Sequence, residues 1–188
     1  MPATLDLQAM QQLAASFPST EWETIQTSVF FPVHPGQPRA VWSPANHVAE
    51  VGGVYAFLLP AAWFAPQRTI TLHAPHGHQG VGIPFVFTVG SLTADNYGVV
   101  YVGRTTDLRR RWRLHLTRGD RIDGGQVKYG LFDCGVTPNI EDALMLLREH
   151  ARIIYAQIPG DDNCANRDVL EMALCARFGP PFNIKSER

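Results

Sequence analysis

Two short apolar runs bounded by glycine constrain this chain most. Val54-Tyr-Ala-Phe-Leu-Leu59 opens on Gly52-Gly53 and closes on Pro60, and Gly98-Val-Val-Tyr-Val-Gly103 follows about forty residues later. Runs this short, rich in β-branched and aromatic residues and cut by Gly and Pro, read as strands. The connection between them is long for a structureless loop. It holds two further strand candidates, Thr69–His73 and Pro84–Val89, on either side of Pro75-His-Gly-His-Gln-Gly80, so it reads as an inserted hairpin.

Elsewhere the pattern turns helical. Leu5, Leu7, Met10, Leu13 and Ala14 recur at helical spacing and predict an amphipathic helix over 4–16, ended by Phe17-Pro18. Ser28-Val-Phe-Phe-Pro-Val33 reads as a strand leading into a Pro-rich loop to about Asn46. Thr106-Asp107 supplies an N-cap for Leu108, Trp112 and Leu116, predicting a helix over 107–117. Gln126-Val-Lys-Tyr-Gly-Leu-Phe-Asp-Cys134 reads as a third strand. Thr137 or Asn139 caps a helix whose Ala143, Leu146, Leu147, Ile153 and Ile154 continue to about Ile158, and a last helix starts at Asn166 or Asp168 and stops at Gly179-Pro180-Pro181. The expectation is an α+β fold: a small antiparallel central sheet of about three strands flanked by helices, with an inserted β-hairpin at about 61–96. A helical and loop arm over 1–48 packs on the domain formed by 49–188.

Composition narrows the function classes. Sixteen basic residues oppose seventeen acidic ones for a formal charge of -1, and 45% of the chain is apolar. That balance argues against a disordered chain, a membrane span, a generic nucleic-acid coat and a polybasic membrane binder. Three cysteines without a C-x-x-C pair argue against a disulfide framework and a structural zinc, and the first residues show no signal-peptide pattern; the expectation is a cytoplasmic protein.

The local charge is different. Seven of the fourteen arginines, at 104, 109, 110, 111, 113, 118 and 121, fall within residues 104–121 against only Asp107 and Asp120. A solvated structural face usually mixes signs and uses Lys and Glu, whereas arginine alone suits forked contacts with phosphate oxygens, so a polyanion partner is the sharper reading. Arg111 and His115, four apart, share one helical face, where an imidazole beside a guanidinium can relay a proton while the arginine holds a phosphate. Glu171 sits on an otherwise apolar helix and needs a partner. A hard divalent cation satisfies it, and so does an ion pair with Arg111 or Arg167.

Gly53-Val54-Tyr55 and Tyr101-Val102-Gly103, on neighbouring strands and followed by the Arg/His helix, resemble the GIY-YIG nuclease superfamily, with valine for isoleucine in both tripeptides. Leu170-Glu171-Met-Ala-Leu-Cys-Ala-Arg-Phe-Gly-Pro-Pro-Phe-Asn183 looks like that family's second half, a Glu on a helix followed by an Asn after a Pro-rich turn. The resemblance runs from Gly52 to Asn183, interrupted by an insertion that sets the two tyrosines 46 positions apart where the family usually has a short hairpin.

The resemblance implies a GIY-YIG-like nuclease domain over 49–188 with Tyr55, Tyr101, Arg111, His115, Glu171 and Asn183 as catalytic residues and Gly53 and Gly103 as structural ones. Mg²⁺ on Glu171, with Mn²⁺ able to substitute, holds the scissile phosphate while Arg111 neutralises charge and Tyr55, assisted by His115 or Tyr101, orients or deprotonates the attacking water. Asn183 fixes geometry. Arg104, Arg109, Arg110, Arg113 and Lys128 are the expected substrate contacts.

The implied activity is a DNA endonuclease, restriction type, leaving 5′-phosphate and 3′-hydroxyl ends, with a homodimer as the form that cuts both strands. An antibacterial toxin or a repair or mobile-element nicking enzyme is the alternative within the superfamily, and a catalytically silent DNA-binding module is the alternative outside enzymology. His73, His76 and His78 have spacing that could bind a transition metal, yet their Pro and Gly spacers also describe an ordinary turn. Trp42, Trp63 and Phe64 read either as base-stacking groups or as loop anchors.

Overall fold

Alternation along Gly53–Pro60 sends Tyr55, Phe57 and Leu59 to one side and Val54, Ala56 and Leu58 to the other, and every one of these six side chains is buried. A strand apolar on both faces has to be covered on both. The computed structural model meets that requirement with helices above and below a single antiparallel sheet. It describes residues 22–32, 42–43, 50–64, 69–72, 81–84, 96–117 and 125–183.

The strands are β1 (Glu23–Gln26), β2 (Gly53–Pro60), β3 (Thr69–Leu72), β4 (Val81–Pro84), β5 (Tyr97–Thr105) and β6 (Arg152–Gln157); the helices are α1 (Leu108–Leu116), α2 (Gln126–Asp133), α3 (Ile140–His150) and α4 (Cys164–Phe178). Four strands make the main sheet in the order β1-β6-β2-β5, all antiparallel, while β3 and β4 form a separate hairpin. The fold is therefore α+β, with a four-stranded rather than a three-stranded central sheet. The inserted hairpin is present, with strands at Thr69–Leu72 and Val81–Pro84, and residues 85–89 of the expected second strand lie outside the described residues.

One face of the sheet presents Tyr55, Phe57, Tyr101, Ile153 and Tyr155 to Leu108, Trp112 and Leu116 of α1, Val127 and Leu131 of α2, and Ala143 and Leu147 of α3. The other presents Val54, Ala56, Val102 and Ile154 to Leu170, Leu174 and Phe178 of α4. A register shift between Phe57 and Leu58 lets both Val100 and Tyr101 join the first face.

Three sequence expectations are corrected. Gln126–Asp133 is a helix, not a strand: Val127 and Leu131 sit one turn apart on the buried side, and Gly130 lies so close to the Phe182 ring that no side chain fits between. The helix capped by Asn139, whose Oδ1 accepts from Asp142 N at 2.8 Å, ends at His150 because Ala151 turns extended, and Ile153 and Ile154 belong to the inner strand β6. The chain around Ser28 forms a 3₁₀ turn, Thr27–Phe30, after the short edge strand β1; Thr27 N and Oγ1 both donate to Ala151 O, which ties this turn to the end of α3.

Other boundaries agree closely with the pattern. Asp107 caps α1 by accepting from Arg110 N at 2.9 Å, and Gly179 ends α4 with φ +54. The last helix begins a little earlier than expected, at Cys164. No disulfide joins the cysteines, and among the described residues no helix is long and apolar enough to cross a membrane. The expected helix over 4–16, Arg118, Arg121 and the three insertion histidines lie outside the described residues.

Candidate active site

Gly103 is the residue that lets the site form. It is the register partner of Tyr55, and a Cβ there would stand 2.7 Å from Tyr55 Oη and 2.8 Å from Tyr101 Cε1. Its missing side chain admits both phenols, whose ring centroids lie 6.1 Å apart. Gly53 serves the neighbouring contact, where a Cβ would meet Leu108 Cδ1 at 2.9 Å and hold the start of α1 away from the sheet.

The axis of α1 brings Arg111 and His115, one turn apart, over these phenols. Arg111 Nε donates to Tyr55 Oη at 3.2 Å and Nη2 donates to Tyr101 Oη at 3.3 Å, while Tyr55 Oη and His115 Nε2 are 2.9 Å apart. The His115 ring also lies 5.0 Å, centroid to centroid, from both Phe57 and Tyr101, tilted against the first and edge-on to the second. Four of the expected residues thus form one hydrogen-bonded cluster.

Electrostatics divides the labour within it. Burial alone would weaken the Arg111 cation, but the two phenol oxygens, through charge and hydrogen bonds, outweigh that and hold it above the ordinary arginine value. His115 is pushed well below the usual histidine value, first by complete burial and then by the cations of Arg111 and Lys128. The imidazole is therefore neutral at neutral pH. Its Nδ1 is buried and makes no hydrogen bond within the described residues, so Nε2 carries its polar contact. Tyr55 and His115 are fully buried, and Arg111, half-buried, is the member that reaches toward solvent.

Asn183 approaches β5 from outside. Its Oδ1 accepts from Val102 N at 2.8 Å, its Nδ2 donates to Val102 O at 2.6 Å, and Phe182 N donates to Val100 O at 2.9 Å. The segment after α4 so lies along the outer edge of the sheet, satisfying backbone groups that an edge strand leaves open.

Glu171 projects from α4 toward the end of the same strand. Arg104 meets it there, with Nε 2.9 Å from Glu171 Oε2 and Nη1 2.9 Å from Asp168 Oδ1. Among the described residues Glu171 pairs with Arg104 rather than with Arg111 or Arg167; Arg167 is buried and donates to the Ile158 and Gly160 carbonyls, both at 2.8 Å. Asp168 is a residue that sequence reasoning treated only as a helix start. Its position three residues before Glu171, one turn away on a helix, is the signal that identifies it.

The two carboxylates share the Arg104 guanidinium at a partly exposed edge, and carboxylate oxygens are donors that fit a hard cation carrying several waters. No group of three or more His, Cys, Asp or Glu side chains converges among the described residues, so such a cation would rest on few protein ligands.

The remaining expected contacts separate. Arg110 and Arg113 are exposed on α1, and Arg109 pairs with Glu50 at 2.8 Å. Lys128 is not on this surface. It is 1% exposed and its Nζ donates to Thr117 O at 2.6 Å, which corrects its placement among the substrate contacts. Comparison with protein-family models, with curated proteins and with solved structures finds no match.

Proposed function

We propose that this chain is a divalent-cation-dependent DNA endonuclease of GIY-YIG type, leaving 5′-phosphate and 3′-hydroxyl ends and acting as a restriction enzyme. One observation carries the reading: Tyr55, Tyr101, Arg111 and His115, taken from the sequence as a set, form a single hydrogen-bonded cluster, with Asn183 and Glu171 anchored along the strand that bears Tyr101. Support also comes from the arginines exposed beside it on α1.

Phosphodiester hydrolysis needs a placed phosphate, a neutralised developing charge and a proton acceptor near the attacking water. Arg111 is the permanent cation for the first two tasks. It also covers both phenol oxygens, so a phosphate that draws the guanidinium outward uncovers Tyr55. Tyr55 then faces the water, the arginine favouring any phenolate that forms, while neutral His115 stands 2.9 Å away as the hydrogen-bond partner that orients the phenol. Glu171, with Asp168 beside it, would hold the divalent cation, which supplies Lewis-acid stabilisation of the leaving oxygen when bound. Asn183 keeps Val102, and with it the Tyr101 and Gly103 positions on either side, in register.

The test is nicking of supercoiled plasmid with Mg²⁺ by the wild type and by Glu171→Ala, Tyr55→Phe and Arg111→Ala. Each variant is expected to lose about 100-fold or more. Equal cleavage by all four proteins refutes the assignment. The complete burial of Tyr55 favours a second reading, a DNA-binding module without catalysis, for which plasmid binding without nicking by the wild type is the signature.

A further inference from the structure

Lys128 looks like a phosphate contact in the sequence and lies inside the protein. The reason is the way α1 ends. Its C-cap, Thr117, is extended at φ -124 and ψ -154. Its last carbonyls are met by side chains: Thr117 Oγ1 donates to Arg113 O at 2.6 Å, Arg148 Nε to Leu116 O at 2.9 Å and Lys128 Nζ to Thr117 O at 2.6 Å. Carbonyls at a helix C-terminus form the negative end of its dipole and favour cations there. His115 belongs to this same turn. If the turn frays, the imidazole leaves the phenol of Tyr55.

We infer that Lys128 is a positioning residue for the Tyr55–His115 pair: its buried ammonium locks the last turn of α1 from inside the fold, as a second internal cation beside Arg111. Among the described residues, the groups that face His115 are Tyr55 and Phe57 from β2, Tyr101 from β5, Arg111 from its own helix and Lys128 from α2. None of these is a carboxylate. Two positive charges against an imidazole in a dry site both oppose its protonation, and burial opposes it further. A neutral imidazole can accept a hydrogen bond from the Tyr55 hydroxyl at Nε2 and so orient the phenol, and a charged imidazole cannot. The catalytic consequence rests on the nuclease reading; the state of the imidazole does not.

Nuclear magnetic resonance of the imidazole nitrogens tests this on the intact chain, with His115→Gln identifying the signal. In the wild type and in Lys128→Arg, the His115 midpoint is expected well below the ordinary histidine value. In Lys128→Met, which keeps most of the stem and removes the charge, the His115 midpoint is expected to rise by about one pH unit. The acid limb of the nicking profile should move the same way. A wild-type His115 titrating near the ordinary value of about 6.5 overturns the inference, and that measurement needs no variant to fold. So does a folded Lys128→Met protein that melts earlier while the imidazole titration stays in place, because that result describes a purely structural lysine. Wild type with the expected imidazole behaviour and no nicking would refute the nuclease reading and leave this inference standing.

Discussion

Replacing Gly103 with alanine puts one methyl group into the contact that holds the two phenols together. The added carbon would lie 2.7 Å from Tyr55 Oη and 2.8 Å from both Tyr55 Cζ and Tyr101 Cε1. Carbon contacts settle at about 3.5–4.0 Å, so about an ångström of relief has to be found. Neither ring has room to give it: Tyr55 is 0% exposed and Tyr101 1%. Tyr55 cannot retreat without stretching its 2.9 Å contact with His115 and its 3.2 Å contact with Arg111.

Overpacking of this kind costs about 1–3 kcal/mol, and loss of one buried hydrogen bond adds about 1 kcal/mol. The expected destabilisation is about 2–4 kcal/mol, which for a chain of this size lowers Tm by about 5–15 °C. Urea unfolding should show a lower midpoint at unchanged slope, and the tyrosine signal in near-ultraviolet circular dichroism should change. Gly179→Ala is the matched control. It has φ +54 and no heavy atom within 4 Å of the added carbon, so it should cost only about 1 kcal/mol of backbone strain and leave the tyrosine signal alone. A Gly103→Ala protein with the wild-type midpoint and spectrum would refute the argument that this glycine exists to admit the phenols.

Asn183→Ala removes both hydrogen bonds to Val102, whose side chain is fully buried, and should cost about 2–3 kcal/mol by urea unfolding, with Asn183→Asp recovering only the accepting half. His115 is held neutral in the fold while its unfolded counterpart takes up a proton near 6.5, so the unfolded state binds more protons in acid. Stability should fall as pH drops through about 6.5 and below, by at most about 1.4 kcal/mol per pH unit, and His115→Gln should flatten that slope. If Arg110 and Arg113 both contact phosphates, the double alanine variant should reduce the slope of log affinity for duplex DNA against log salt by about 2, read by fluorescence anisotropy.

How far the sequence carried depends on where each element's information lies. Strands β2 and β5 and helix α1 were legible because glycines bound the strands and Asp107 caps the helix, all local signals. Strand β6 was not. Ile153-Ile154-Tyr155-Ala156 is buried on both faces, which erases the period-two pattern, and Ala151 breaks the preceding helix without a Gly or Pro to mark the place. Helix α2 was misread because Val127, Tyr129 and Leu131 alternate as in a strand, and because its Gln126 and Lys128 are buried against the polar-outside rule. The Tyr, Arg and His positions could be chosen from spacing within neighbouring elements. The joint hold of Arg104 on Asp168 and Glu171 spans more than sixty residues and only the folded chain displays it.

The strand order β1-β6-β2-β5 sets a timetable for synthesis. β1 hydrogen-bonds only to β6 within the sheet, and β6 ends at Gln157, so β1 has no strand partner for 131 residues of further translation. At about 5–20 residues per second that wait lasts roughly ten seconds. β2 and β5 can pair during it, but the edge of β2 that will receive β6 stays open, and Tyr55 already faces the incoming α1. The cell therefore handles, for several seconds on each ribosome, a half-sheet with its proposed catalytic tyrosines assembled and its interior edge unguarded. Anything that delays β6, from a slow codon run before residue 152 to a strand-breaking substitution at Ile153 or Ile154, lengthens the period in which that edge can pair with another chain.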